Sequence, residues 1–134
     1  MPAARKYTVY VVDDDPAVLV SLRFLLETDG FDVRTFGSGA LLLDALPAEH
    51  PVDCFVFDYK MDVIDGLELA RRLRQDHIET PIVLITGFPD QHVAARAAEA
   101  DIQCVLSKPH LEVSLTGCIQ AAMRERPRRD NAPP

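Results

Sequence analysis

The chain has 134 residues, 48% of them hydrophobic and 26% charged, a size and balance that suit one globular domain with its own core. The formal net charge of −7 argues against nucleic acid and anionic membrane surfaces as partners, since both need clustered Lys and Arg. Three widely spaced cysteines, Cys54, Cys104 and Cys118, form neither a disulfide framework nor a CxxC metal site, and no apolar run is long enough to span a bilayer.

In chain order, short apolar runs alternate with stretches of helical spacing. MPAARKY leads straight into a strand-like run at 7–12 rather than a signal peptide, so the expected location is a reducing cytoplasm. Asp15 and Pro16 supply the cap and first turn of a helix carrying Val18, Leu19, Leu22, Leu25 and Leu26. A second strand is predicted at 31–36, and Ser38 can cap a helix over 40–46. The third strand is 54–57, followed by Gly66 and a helix bearing Leu67, Leu69, Ala70 and Leu73. The fourth strand is 82–85, with an Ala-rich helix over 93–100. The fifth strand is 102–106, and 111–123 closes the series as a helix. Cys54 and Cys104 fall in apolar runs and read as small buried hydrophobes. Arg124, Arg126, Arg128 and Arg129 read as a helix end and tail. The domain is placed at 1–124 and a loose basic, Pro-rich tail at 125–134.

Five β-α alternations predict an α/β fold, a parallel sheet with helices on both faces. TVYVV, CFVF and PIVLI are almost wholly apolar, as central parallel strands require. Ligands of such doubly wound sheets bind beyond the carboxyl ends of the strands. There stand Asp13, Asp14 and Asp15 after the first run, Asp58 after the third, Thr86 and Gly87 after the fourth, and Lys108 and Pro109 after the fifth. With strand order 2-1-3-4-5, Asp13, Asp14 and Asp58 converge. Clustered carboxylates raise one another's pKa unless a cation intervenes, and Mg2+ (or Mn2+) suits carboxylates plus a phosphate. Asp58 is then a candidate nucleophile forming an aspartyl phosphate, with Lys108 and Thr86 on the transferring oxygens. The four histidines, His50, His77, His92 and His110, are scattered and have no metal spacing.

VVDDDPAV, CFVFDYKMDVIDGLELARRLR, PIVLITG and VLSKP resemble, in order and spacing, the receiver domain of two-component response regulators, closest in style to nitrogen-fixation and LuxR-type regulators. The resemblance spans roughly residues 6–124. It implies a flavodoxin-like (βα)5 sandwich with sheet order 2-1-3-4-5. Asp58 matches the phospho-acceptor, Lys108 the lysine and Thr86 the switch hydroxyl. Asp13, Asp14, Asp58 and the backbone carbonyl of Lys60 match the metal ligands, with Asp14 direct and Asp13 through water. The bond from Lys108 to Pro109 is expected to be cis. The implied donor is a phosphohistidine on a sensor histidine kinase or phosphotransfer protein. The domain would catalyse only its own phosphorylation and dephosphorylation, and is not otherwise an enzyme.

Some positions depart from the family pattern. Asp62 stands where proline usually follows the Met, which predicts a less rigid loop. Val105 replaces the aromatic three residues before the lysine, Asp101 a glycine before the fifth strand, and His110 a common Phe. These departures keep open a second reading, a phosphoryl sink or a phosphorylation-independent binding or dimerisation module. Lys60 and Phe88 flank the site and are expected to tune the phosphoryl lifetime. A homodimer face is expected on the fourth helix, fifth strand and fifth helix, where Ala94, Ala95, Ala97 and Ala98 allow close packing. A small-substrate aspartate phosphatase would carry a second Asp two residues after the nucleophile; Lys60 stands there instead.

Overall fold

The computed structural model describes residues 6–47, 51–87, 91–108 and 111–125. Along the chain run β1 (Thr8–Val12), α1 (Pro16–Thr28), β2 (Asp32–Phe36), α2 (Gly39–Asp44), β3 (Cys54–Asp58), α3 (Gly66–Gln75), β4 (Ile82–Thr86), α4 (Gln91–Glu99), β5 (Cys104–Ser107) and α5 (Leu111–Arg124). The strands form one parallel sheet in the order β2-β1-β3-β4-β5, the expected topology. Phe88, Pro109 with its bond to Lys108, His50, His110 and residues 126–134 lie outside the described residues.

The two-residue period of a strand sends alternate side chains to opposite faces, and the core divides accordingly. Tyr10, Val12, Phe55, Phe57, Ile82 and Leu84 pack with Leu42 of α2, Leu67, Leu69 and Leu73 of α3, and Val93 and Ala97 of α4. Val9, Val11, Cys54, Val56, Val83 and Ile85 pack with Leu22 and Leu26 of α1 and Leu115 and Ile119 of α5. Ala97 is therefore a core residue, while Ala94, Ala95 and Ala98 are exposed. Cys54 is fully buried, as expected, but Cys104 is half-buried and faces Cys118.

Helix starts follow the sequence. Asp15 accepts from the Ala17 N–H, Ser38 from Leu41 and Asp65 from Glu68, each satisfying a first-turn donor that has no partner within its helix. The helix predicted at 40–46 stops at Asp44, because Leu46 precedes Pro47 and so disfavours the helical backbone.

Three helices end on the same device. After α1, α3 and α4 the residues Gly30, His77 and Asp101 adopt φ of 96°, 63° and 55°. In each case the next residue donates its N–H back across the last turn: Phe31 to Leu26, Ile78 to Leu73 and Ile102 to Ala97. The residue after the left-handed one is apolar each time, as this C-cap favours. Phe31 and Ile102 are thus cap residues, and β2 and β5 begin at Asp32 and Cys104, later than their apolar runs predict. Asp101, where the family pattern has glycine, occupies a left-handed position that Asp tolerates better than most residues.

Candidate functional site

The register places the site residues. Val12 pairs with Phe57, Asp58 with Ile85, and Thr86 with Ser107, so Asp13, Asp58, Thr86 and Lys108 leave four adjacent strands at one edge. Asp13, Asp58 and Thr86 are buried, while Asp14, Lys60 and Lys108 are exposed. One carboxylate oxygen from each of Asp13, Asp14 and Asp58 lies within 4.8 Å of the others. Lys108 Nζ approaches Asp58 Oδ1 to 3.2 Å.

Backbone groups hold these side chains in place. The Asp15 N–H donates to Asp13 Oδ1 at 2.9 Å, and the Asp62 N–H donates to Asp14 Oδ2 at 3.3 Å. A proline at position 62 would have no N–H to give. The loop expected to be less rigid is therefore tied to a site carboxylate through its departure from the family pattern. Gly66 closes the loop with its N–H on the Tyr59 carbonyl at 2.9 Å. A Cβ at Gly66 would lie 2.5 Å from the Asp58 carbonyl oxygen and 2.7 Å from Leu84 Cδ1, so only glycine fits beneath the β3 end.

Burial pushes the Asp13 carboxyl up from 3.8 to about 6, with the Asp15 N–H and Lys108 opposing and Asp58 and Asp14 adding to the rise. Asp58 is also raised, chiefly by burial; Lys108 counters this and Asp14 reinforces it. Two buried acids share one nearby cation, so the cluster has excess negative charge that a divalent ion would neutralise.

Two clefts flank the acids. One, of about 370 Å³, is lined by Asp58, Tyr59, Lys60, Thr86, Lys108 and His92 among others; the second, of about 350 Å³, by Asp14, Tyr59, Lys60, Met61, Asp62 and Asp65. Asp13, Asp14, Asp58, Lys60, Thr86 and Lys108 thus lie together, with Lys60 lining both clefts; Phe88 lies outside the described residues. His92 and the Asp62 N–H were not among the expected site groups. His92 follows Thr86 by six positions, and only the path of the chain into α4 brings it to the cleft.

Residues 9–120 match the family described as the response regulator receiver domain. The chain belongs to that family. Among curated receiver-containing relatives, the transcriptional regulatory protein FixJ of Bradyrhizobium diazoefficiens is 38% identical over 117 residues, 87% of this chain and 57% of FixJ. The response regulator protein TodT of Pseudomonas putida is 33% identical over 130 residues, 96% of this chain and 57% of TodT. The chain therefore spans little more than half the length of these relatives. The crystal structure of FixJ-N superposes with a TM-score of 0.83 at 31% identity, covering 91% of this chain and 97% of the other. The response regulator StyR gives 0.82 at 35% identity, covering 96% and 64%. The receiver is a signalling domain, not a metabolic enzyme, and among its described residues no helix is long and apolar enough to cross a membrane.

Proposed function

We propose that this receiver takes a phosphoryl group onto Asp58 from a phosphohistidine and so switches a protein interaction. The observation that carries the reading is the grouping of Asp58 with Lys108 at 3.2 Å and with Asp13 and Asp14 within 4.8 Å, at the mouth of the cleft that Thr86 lines. In the transfer, an Asp58 carboxylate oxygen forms a bond to phosphorus as the phosphorus–nitrogen bond to the donor imidazole breaks. Lys108 neutralises charge on the transferring oxygens, and the Thr86 hydroxyl donates to one of them. Asp13, Asp14, Asp58 and the Lys60 carbonyl would hold Mg2+, which supplies charge neutralisation to the phosphoryl group. The donor set fits that ion, being hard oxygens with too little cationic charge around them.

Phosphorylation biases two conformations of the domain. Val105 is half-buried against the α2–α4 core layer, so the signal would pass through Thr86 and the β4–β5 backbone without an aromatic relay. The same observation supports the second reading, a sink or a module that binds without phosphorylation. The partner on the input side is a sensor histidine kinase or phosphotransfer protein, and a homodimer across α4, β5 and α5 is the output reading. That residues 1–124 form the domain and 125–134 a tail is supported by α5 ending at Arg124.

Incubation with acetyl phosphate and Mg2+, read by intact mass, tests the acceptor. Wild type should gain one phosphoryl group, and Asp58→Asn none. Unmodified wild type, or equal labelling of the variant, overturns the reading. Sizing of the phosphorylated form then separates a switch from a sink.

A further inference from the structure

Away from the phosphoryl edge, two thiols meet. Cys104 opens β5 and points into the α1–α5 layer, where Cys118 of α5 packs against the same core. The two Sγ atoms are 2.9 Å apart, in residues fourteen positions apart in sequence. That is closer than ordinary non-bonded contact at roughly 3.5–4 Å, and about 0.9 Å longer than a disulfide bond. Both residues are half-buried, so a small oxidant can reach them. Cys54 is different: it is fully buried, with its thiol donating to the Phe55 carbonyl.

We propose that Cys104 and Cys118 are a thiol–disulfide redox pair that staples α5 to β5 when oxidised by a peroxide. One sulfur attacks a peroxide oxygen, the O–O bond breaks, and a sulfenic acid forms with loss of water. The second sulfur attacks the first; the S–O bond breaks, the S–S bond forms and a second water leaves. Two thiols lose two electrons and two protons, and one hydrogen peroxide becomes two waters. The close second thiol captures the sulfenic acid before it is oxidised further. Burial and the neighbouring Cys118 push the Cys104 thiol up to about 12, so Cys104 rests protonated and the pair answers accumulated oxidant rather than traces. A transient disulfide of this kind is the form expected of a reducing compartment. The location has a consequence for the domain: β5 carries Cys104 at one end and leads into Lys108 at the other, so the staple pins the strand that presents the lysine.

The test uses the purified chain, reduced, then treated with hydrogen peroxide and alkylated after denaturation. The reduced chain should take three alkyl groups, one per cysteine. The oxidised chain should take one, on Cys54, and yield a cross-linked peptide pairing Cys104 with Cys118. Its Tm should rise by about 5 °C, reversibly with dithiothreitol. Cys104→Ser and Cys118→Ser should each abolish the cross-link and leave the remaining partner oxidised singly. Three alkyl groups after peroxide, stable sulfinic products on either cysteine, or a cross-link through Cys54 would overturn the proposal, and the wild-type result decides it even if a variant does not fold.

Discussion

Arg74 binds the backbone of Asp101 across the gap between two helix ends. Its Nη2 donates to the Asp101 carbonyl at 2.7 Å, Nε to that of Ala100 at 3.1 Å, and Nη1 to those of Ile78 and Thr80 at 2.7 and 2.9 Å. One guanidinium thereby joins the C-terminal ends of α3 and α4 to the segment entering β4. Burial lowers its pKa, and Asp101 and Glu79 oppose that shift. Arg74→Ala leaves four carbonyls without their donor and should destabilise the domain by about 3 kcal/mol in urea unfolding. Arg74→Lys should recover less than half of this, because an ammonium cannot reproduce the fork.

Gly66→Ala drives a methyl group into the Asp58 carbonyl and Leu84. It should cost about 2–3 kcal/mol by chemical denaturation. It should also slow acetyl phosphate labelling, because the strand end carrying Asp58 must move. Full stability together with full labelling would refute the close contact.

Asp62→Pro removes the N–H that Asp14 accepts. Loss of such a supporting bond should weaken Mg2+ binding by about tenfold, measured by calorimetric titration, with the fold intact.

Stability should depend on pH and Mg2+ together. Asp13 has a folded pKa of about 6 against 3.8 when unconstrained, and Asp58 is raised as well. Between those values the unfolded chain has already lost the proton that the folded chain keeps. Metal-free stability from these groups is therefore greatest at low pH and falls as pH rises from about 4 to 6. Mg2+ needs the deprotonated acids, so at ten times its Kd it should add about 1.4 kcal/mol, a Tm rise of about 4–6 °C, at pH 7.5. At pH 5 the rise should be much smaller; equal rises at both values would exclude the buried carboxylates as the ligands.

His77→Gly relieves a left-handed φ of 63° at an exposed position. It should stabilise the domain by roughly 0.5–1 kcal/mol in thermal or urea unfolding, after allowing for the more flexible unfolded chain.

The fold and the acid cluster were legible because each site residue stands within three positions of the end of an apolar run, so naming the strands also named the edge. The starts of β2 and β5 were misplaced because Phe31 and Ile102 are apolar whether they cap a helix or open a strand. Arg74 and the Asp62 N–H were illegible for another reason: their partners are backbone atoms brought near only by the tertiary fold. The same holds for His92, which precedes the helix predicted over 93–100 but lies in α4 and lines the cleft, and for the meeting of Cys104 with Cys118.

The shared helix ending at Gly30, His77 and Asp101 makes the two edges of the sheet unequal as engineering material. At the lower edge, the returns after α1, α3 and α4 differ in length but each sets an apolar residue, Phe31, Ile78 or Ile102, against the core, so one residue inserted at such a cap would break it and shift the strand that follows. At the upper edge, the segment between Asp58 and Gly66 follows no such repeated rule. An insertion there would instead act on the acids directly, because the Asp62 N–H holds Asp14 and Gly66 sits beneath Asp58, so the lower edge guards register and the upper edge guards the chemistry.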